Sequence, residues 1–98
     1  MSIDGTYHVI INSSMGNVEG QMTYETQAGV TTGRAMIMGN EITIPFVQVT
    51  DDHFIYPLKV KTPLGRMNII VTGTVTGDRI TGKINSSLGN FPFQGERM

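Results

Sequence analysis

Three tyrosines and the apolar side chains near them offer the most chemistry in this sequence. Tyr7 and Tyr56 occupy matching positions in two similar stretches, and Tyr24 lies between them. A tyrosine ring packs against an apolar or aromatic ligand, and its hydroxyl donates a hydrogen bond. Methionine adds a soft and adaptable surface. We therefore predict a pocket for a small apolar ligand, with these candidate ligand-binding residues: Tyr7, Met22, Tyr24, Phe54, Tyr56 and Met67, with Phe46, Phe91 and Phe93 as further lining.

The histidines and one aspartate pair carry weaker signals. His8 and His53 belong to no Ser/His/Asp order and no metal-ligand spacing, so we expect both at the surface. Asp51 and Asp52 are adjacent, and neighbouring side chains of a strand point to opposite faces, so the pair predicts a turn. The sequence therefore predicts no catalytic residue, no metal site and no cofactor. Whether the protein is an enzyme stays open, with a non-enzyme favoured.

Composition narrows the classes of partner and location. The chain has 98 residues, a formal net charge of −1 and no cysteine. Its seven basic residues are spread singly, so we expect no surface for nucleic acid or an anionic membrane. Disulfides and thiolate chemistry are excluded. The first residues show no signal-peptide pattern and no apolar run is long enough to span a membrane, so we expect a cytoplasmic protein.

The second half of the sequence repeats the first at an offset of 49 residues. The stretch that begins at Tyr7 aligns with the stretch that begins at Tyr56, and Thr32-Gly33-Arg34 aligns with Thr81-Gly82-Lys83. A structural interpretation of one copy must also hold for the other. Lys83 lies on the polar face of an alternating segment, so the repeat predicts that Arg34 faces outward and Gly33 inward.

Turn signals and alternation then predict the fold. Seven turns, about a dozen residues apart, divide the chain into eight segments of strand length. In the second segment Val18, Gly20, Met22 and Tyr24 are predicted to face inward. We predict an all-β fold, an eight-stranded antiparallel up-and-down barrel, in one domain of residues 1–98. Its two four-stranded repeats cover residues 5–50 and 53–98. A two-sheet sandwich is the alternative.

A run of turn and bend residues carries a family resemblance. It comprises Thr62-Pro63-Leu64-Gly65, Thr76-Gly77-Asp78-Arg79-Ile80-Thr81-Gly82 and Leu88-Gly89-Asn90-Phe91-Pro92-Phe93-Gln94-Gly95. This pattern resembles small, mostly uncharacterised bacterial β-meander domains, and the broader architecture is similar to lipocalin-like and streptavidin-like barrels. The resemblance implies the meander fold and no particular activity. The chain departs from both barrel groups because it contains no tryptophan.

The two repeats differ on their outer face. Ile10 replaces Lys59, Met36 replaces Asn85, and Met38 replaces Ser87. Clustered exposed apolar groups mark association surfaces. We therefore predict a homo-oligomer with these interface residues, all expected to point outward: Ile10, Met36, Met38, Val47 and Val49.

Three functions remain open at this stage. The first is a non-catalytic barrel that binds a small hydrophobic ligand in its lumen or at the mouth framed by the glycine turns. The second is an accessory or oligomerisation domain with a solid core, because an eight-stranded barrel is just wide enough for its own side chains. The third is a small-molecule cyclase or isomerase that uses the pocket tyrosines.

Overall fold

The chain forms a closed antiparallel barrel in which every strand pairs with its neighbour in sequence and the last strand pairs with the first. The structure is a computed structural model that describes residues 3–14, 16–62 and 65–98. The strands are β1 (Gly5–Ser13), β2 (Gly16–Gln27), β3 (Val30–Ile37), β4 (Asn40–Thr50), β5 (His53–Thr62), β6 (Gly65–Thr76), β7 (Arg79–Ser86) and β8 (Gly89–Arg97). The predicted eight-stranded up-and-down barrel is confirmed, and the sandwich alternative is wrong. No helix in the described residues is long and apolar enough to cross a membrane.

Alternation places side chains inside or outside the barrel as the sequence indicated for most strands. Tyr7, Val9 and Ile11 of β1 are buried, and so are Met22 and Tyr24 of β2. The repeat also gave the correct orientation for β3, in which Ala35 is buried while Arg34 is exposed. Period-two patterning is decisive here because a shift of one residue would exchange the core and solvent faces.

Strand glycines let inward aromatic rings lie flat against the barrel wall. Phe54 is opposite Gly73, and Phe93 is opposite Gly82, on paired strands. A Cβ on Gly82 would lie 2.6 Å from Phe93 Cζ, and one on Gly33 would lie 2.9 Å from Tyr24 Cδ1. A side chain at these positions would therefore collide with the ring and with a backbone carbonyl oxygen of the neighbouring strand. These strand glycines therefore make room for the aromatic core.

The two ends of the barrel differ in how their lumen is filled. One end, which we call the terminal end, carries the start of β1, the end of β8 and the turns after β2, β4 and β6. The side chain of Ile3 fills the lumen at the terminal end, and 1% of its surface is exposed. The other end, which we call the glycine end, begins β2, β6 and β8 at Gly16, Gly65 and Gly89. Its lumen-facing side chains are half-buried and pack against the core: Val18, Ile37, Ile42, Leu58, Ile69, Ile84 and Phe91.

A β-bulge in β4 reverses the alternation of that strand. Thr31 pairs with Val47, but Gly33 pairs with Ile44, so β4 contains one residue more than β3 over this stretch. Pro45 and Phe46 both face outward as a result. The expectation that Val47 and Val49 face outward is wrong: Val47 is buried, with 2% exposed, and Val49 packs against the core.

The pairing between β4 and β5 is short. Within the described residues it runs from Thr50↔His53 to Gln48↔Ile55 and then ends. By contrast, the equivalent closure between β8 and β1 runs from Tyr7↔Arg97 to Ile11↔Phe93. The β4–β5 seam therefore opens toward the glycine end, and this opening positions the site described next.

Candidate functional site

The tyrosine cluster occupies the terminal half of the lumen and is sealed from solvent. Tyr7, Tyr24 and Tyr56 are exposed by 0%, 0% and 1%. The Tyr7 hydroxyl donates to the Ile3 carbonyl at 2.7 Å. The Tyr24 hydroxyl donates to Met22 Sδ at 3.4 Å and lies 2.8 Å from the Tyr56 hydroxyl. Either hydroxyl can donate the proton in the hydrogen bond between Tyr24 and Tyr56. Each phenol thus has a partner inside the protein.

The rings pack against one another as a continuous aromatic layer. The Tyr24 ring lies 6.2 Å from Tyr7, 5.4 Å from Phe54 and 6.0 Å from Tyr56 between centroids. Phe54 and Tyr56 are stacked, with an interplanar angle of 15°. Arg97 caps the layer, with its Cζ 5.2 Å from the Tyr7 centroid. These distances lie in the range of favourable aromatic and cation–π contacts.

Burial makes these phenols weaker acids than usual. It raises the pKa of Tyr56 to about 12, although the hydrogen bond with Tyr24 opposes the shift. Burial raises the pKa of Tyr24 well above 10.0, and the neighbouring Tyr56 adds to this. Burial also raises the pKa of Tyr7, partly offset by Arg97. The tyrosines are therefore neutral at physiological pH, and their electrostatics favour hydrogen bonding over proton abstraction.

Five of the six predicted ligand-binding residues thus meet in one packed core. Tyr7, Met22, Tyr24, Phe54 and Tyr56 are each at most 3% exposed. This arrangement favours the filled-core alternative for those five side chains. Met67 is half-buried and lies near the glycine end, opposite Val60. Of the further lining residues, Phe93 is in the core and Phe91 packs against it, whereas Phe46 is 55% exposed on the outside.

An accessible cavity lies where the β4–β5 seam opens. It has a volume of about 560 Å³. Its wall includes inward side chains of three strands and the residues at the opening: Ile37, Met38, Asn40, Glu41, Ile42, Thr43, Lys59 and Val60. The size lies within the range of small-molecule sites. The site is therefore displaced from the tyrosines to the opposite half of the lumen.

Pro57 explains why the seam opens at this point. The two-residue turn after Thr50 makes Thr50 and His53 a hydrogen-bonded pair, and such pairs recur at every second residue. Gln48↔Ile55 is the next one. The register would then place Pro57 opposite Phe46, but proline has no N–H to donate. The repeat-equivalent residue, His8, does pair across its own closure with Glu96.

The part of the cavity wall that faces the lumen is apolar, whereas its rim is polar and carries opposite charges. Ile37, Ile42 and Val60 face the lumen, whereas Glu41 and Lys59 lie on the outer edges of β4 and β5 and are exposed. One acid and one base cancel in net charge. The chemistry of the wall therefore suits an uncharged apolar molecule, with Thr43 and Asn40 as hydrogen-bonding groups at the opening.

The remaining predicted residues lie on the surface. His8 and His53 are exposed: His8 lies 3.9 Å from Glu19, and His53 Nδ1 lies 2.8 Å from Thr74 Oγ1. Asp51 and Asp52 form the turn after β4, as expected. In the described part of the chain, no group of three or more His, Asp or Glu residues is arranged to hold a metal ion.

The predicted interface residues do not form one patch. Met36 and Met38 are exposed, and Ile10 is half-buried on the outer face of β1. β2 lies between the strands of Ile10 and Met36, and its outer face there carries Glu19 and Gln21. Polar side chains therefore separate these apolar groups.

Sequence reasoning missed the cavity residues on β3, β4 and β5. Ile37, Ile42 and Val60 have the alternation of ordinary core positions, so nothing in their own pattern sets them apart. The usable signal was Pro57, because a proline within a barrel strand has no N–H for the neighbouring strand that its nitrogen faces, so pairing can end on that side.

The comparisons with known proteins concern the fold. The chain is similar to a solved structure described as a redesigned beta barrel, b11L5F_LGL, at 20% sequence identity and a TM-score of 0.71. The match covers 98% of this chain and 91% of that one. No protein-family model matches the chain, and no curated protein matches it. The likeness supports the barrel architecture, while the resemblance to bacterial β-meander domains stays a prediction.

Proposed function

We propose that this β-barrel binds a small, uncharged, apolar molecule in the cavity at the open end of the β4–β5 seam. The observation that carries the proposal is the end of the ladder at Gln48↔Ile55, beyond which a space of about 560 Å³ is lined in part by the inward residues Ile37, Ile42 and Val60. Apolar lumen residues exposed at such an opening have a driving force to be covered, roughly 25 cal/mol per Å² of apolar surface.

The ligand site is separate from the tyrosine core in this proposal. The tyrosines hold the barrel closed at the terminal end, and the glycine end supplies the cavity. This division combines the ligand-binding and solid-core hypotheses, because each describes one half of the lumen. A cyclase or isomerase acting through these tyrosines has less support, since burial raises their pKa values and keeps them out of contact with the cavity.

A binding experiment with a filled-cavity variant tests the proposal. The neutral fluorescent probe N-phenyl-1-naphthylamine has about 17 non-hydrogen atoms, which at about 0.3 kcal/mol per atom predicts a dissociation constant on the order of 100 µM. We expect the wild-type chain to bind it with enhanced emission. Val60→Trp, which places an indole in the cavity, should weaken binding about tenfold or more.

Leu88→Trp is the matched control. Leu88 is 68% exposed in the turn after β7, at the same end of the barrel but away from the cavity. It receives the same indole, so it should bind the probe as the wild-type chain does. Circular dichroism would verify that both variants keep their β structure. Equal binding by Val60→Trp and Leu88→Trp would contradict the proposed site.

A further inference from the structure

Acidic and basic residues lie on opposite sides of the barrel. Residues 1–52 contain six of the eight acidic side chains and one of the seven basic ones, whereas residues 53–98 contain two acidic and six basic. The formal charges of the two halves are therefore −5 and +4. The basic residues are single in sequence, as expected, but they are concentrated in one half. Since β1–β4 and β5–β8 form the two sides of the barrel, the molecule has an acidic side and a basic side.

The charged side chains on the two sides are exposed. Glu19 and Glu25 lie on β2, and Glu41 lies on β4. In strands β1–β4 the basic residues are Arg34 on β3 and His8 on β1. Strands β5, β6 and β7 contain no acidic residue, and they expose these basic side chains: Lys59, Arg66, Arg79 and Lys83.

An apolar patch lies on the boundary between the acidic and basic sides. Phe46, Ile55 and Ile70 are 55%, 42% and 47% exposed. Pro57 is exposed between them: it pairs with Ile70 on β6 and shares an outer face with Ile55. Continuation of the hairpin register would place Phe46 across the seam from Pro57. These four residues, which we call the seam patch, form an exposed apolar surface centred on the β4–β5 seam.

We propose that the seam patch is a homodimer interface with a two-fold axis that runs along the seam. This axis places β4 of each copy over β5 of the other copy. The acidic side of each barrel therefore faces the basic side of its partner, in two equivalent contacts. An axis across the seam would instead place β4 over β4 and acid against acid. Charge complementarity therefore selects a second copy as the occupant and also selects the axis.

The geometry gives a specific charged contact at the edge of this interface. Glu41 is the second residue of β4, and Arg66 is the second residue of β6, so both lie at the glycine end. Rotation about the seam axis does not change the position of either residue along that axis. Glu41 of one copy then faces Arg66 of the other, and the symmetry repeats the contact. The apolar seam patch lies between the two contacts, as in an interface with an apolar centre and a charged rim.

The barrel wall is large enough for such an interface. The molecule measures 37 × 22 × 22 Å between its extremes. A stable dimer of ordinary size buries about 800 Å² per partner, which would require contact over most of one long side.

Exchange of charges between two single variants tests the contact. In E41K homodimers lysine faces arginine, and in R66E homodimers glutamate faces glutamate, so each variant should dimerise about tenfold more weakly than the wild type. In an equimolar mixture, the new lysine of the E41K chain meets the new glutamate of the R66E chain, and the native Arg66 meets the native Glu41. Sedimentation velocity should therefore show that the mixture dimerises about as strongly as the wild type.

Substitutions with the same chemistry outside the seam patch provide the controls. Glu25→Lys and Lys83→Glu make equal changes of charge on β2 and β7 and should leave dimerisation within about threefold of wild type. Phe46→Ser should weaken the dimer about 100-fold, because each dimer buries two copies of the ring. Leu88→Ser, at an equally exposed turn position, should not weaken it.

Three results would overturn the proposal. The first is a wild-type chain that sediments as a monomer at roughly 1 mM. The second is a mixture of E41K and R66E that associates no better than either variant alone. The third is a Phe46→Ser variant that dimerises like the wild type. All of these substitutions are at exposed positions, so the folded barrel is expected in every case.

Discussion

Removal of the buried phenolic hydroxyls one at a time tests whether the terminal half of the lumen is a solid core. Tyr24→Phe removes the hydroxyl that is hydrogen-bonded to Tyr56 and also contacts Met22 Sδ. The Tyr56 hydroxyl then stays buried without a partner, at a cost of about 1–3 kcal/mol in the free energy of unfolding. Tyr56→Phe leaves Tyr24 bonded to sulfur and should cost about 1 kcal/mol.

The double variant makes the prediction sharper. Tyr24→Phe combined with Tyr56→Phe removes both hydroxyls and leaves no phenol unpaired at this contact. It should therefore cost less than the sum of the two single changes, with a coupling of about 1 kcal/mol. For a chain of this size each kcal/mol corresponds to roughly 4–8 °C in Tm. Ring packing is preserved because phenylalanine keeps the aromatic contacts of tyrosine.

Urea unfolding followed by far-ultraviolet circular dichroism measures these free energies, since the chain has no tryptophan to report by fluorescence. Tyr7→Phe is a useful comparison, because it leaves the Ile3 carbonyl without its 2.7 Å donor in the same buried layer. If both single variants and the double variant unfold within about 0.3 kcal/mol of the wild type, the hydroxyls are hydrated and the lumen is open there. That result would refute the solid-core interpretation.

Two further predictions concern alkaline stability and the seam. Because the pKa values of Tyr24 and Tyr56 are raised in the folded protein, the unfolded chain releases these protons first, so stability should be constant below about pH 10 and fall as the pH rises toward 12. Tyrosinate absorbance during a pH titration measures this, and a phenol of the folded chain that ionises near its ordinary pKa of 10.0 would contradict it. Pro57→Val supplies an N–H that can pair with β4. The new amide at position 57 should therefore exchange its hydrogen slowly, as the amide of the paired His8 is expected to do. The free energy of unfolding should change by less than about 1 kcal/mol, because the added hydrogen bond is offset by the greater conformational entropy of the unfolded chain. Rapid exchange at amide 57 would show that Pro57 does not hold the seam open.

The fold could be predicted because the two repeats constrained each other. Arg34 had no clear orientation within its own strand, and the polar position of Lys83 resolved it. The same method failed at Val47, because alternation carries no record of an inserted residue. Pro45 lies within the bulge, but a proline allows either a bulge or an edge, and the choice depends on packing across β3.

The site was harder to predict because a pocket and a core use the same side chains. Tyr7, Tyr24 and Tyr56 have the composition of a ligand pocket, yet their hydroxyls are satisfied by Ile3, by Met22 and by one another. No sequence pattern states which partner a buried hydroxyl will find. The opening at the seam arises from a register that meets Pro57, and the register is a property of the folded barrel.

The central claim is that one half of the lumen is solid and the seam half binds the ligand. Nuclear magnetic resonance of the isotopically labelled wild-type chain, titrated with N-phenyl-1-naphthylamine, tests it most directly. We predict saturable shifts at Ile37, Ile42 and Val60, which line the cavity, and unchanged signals from the rings of Tyr24 and Tyr56. Shifts centred on the two tyrosines, or no saturable shift at the three cavity residues, would contradict the account.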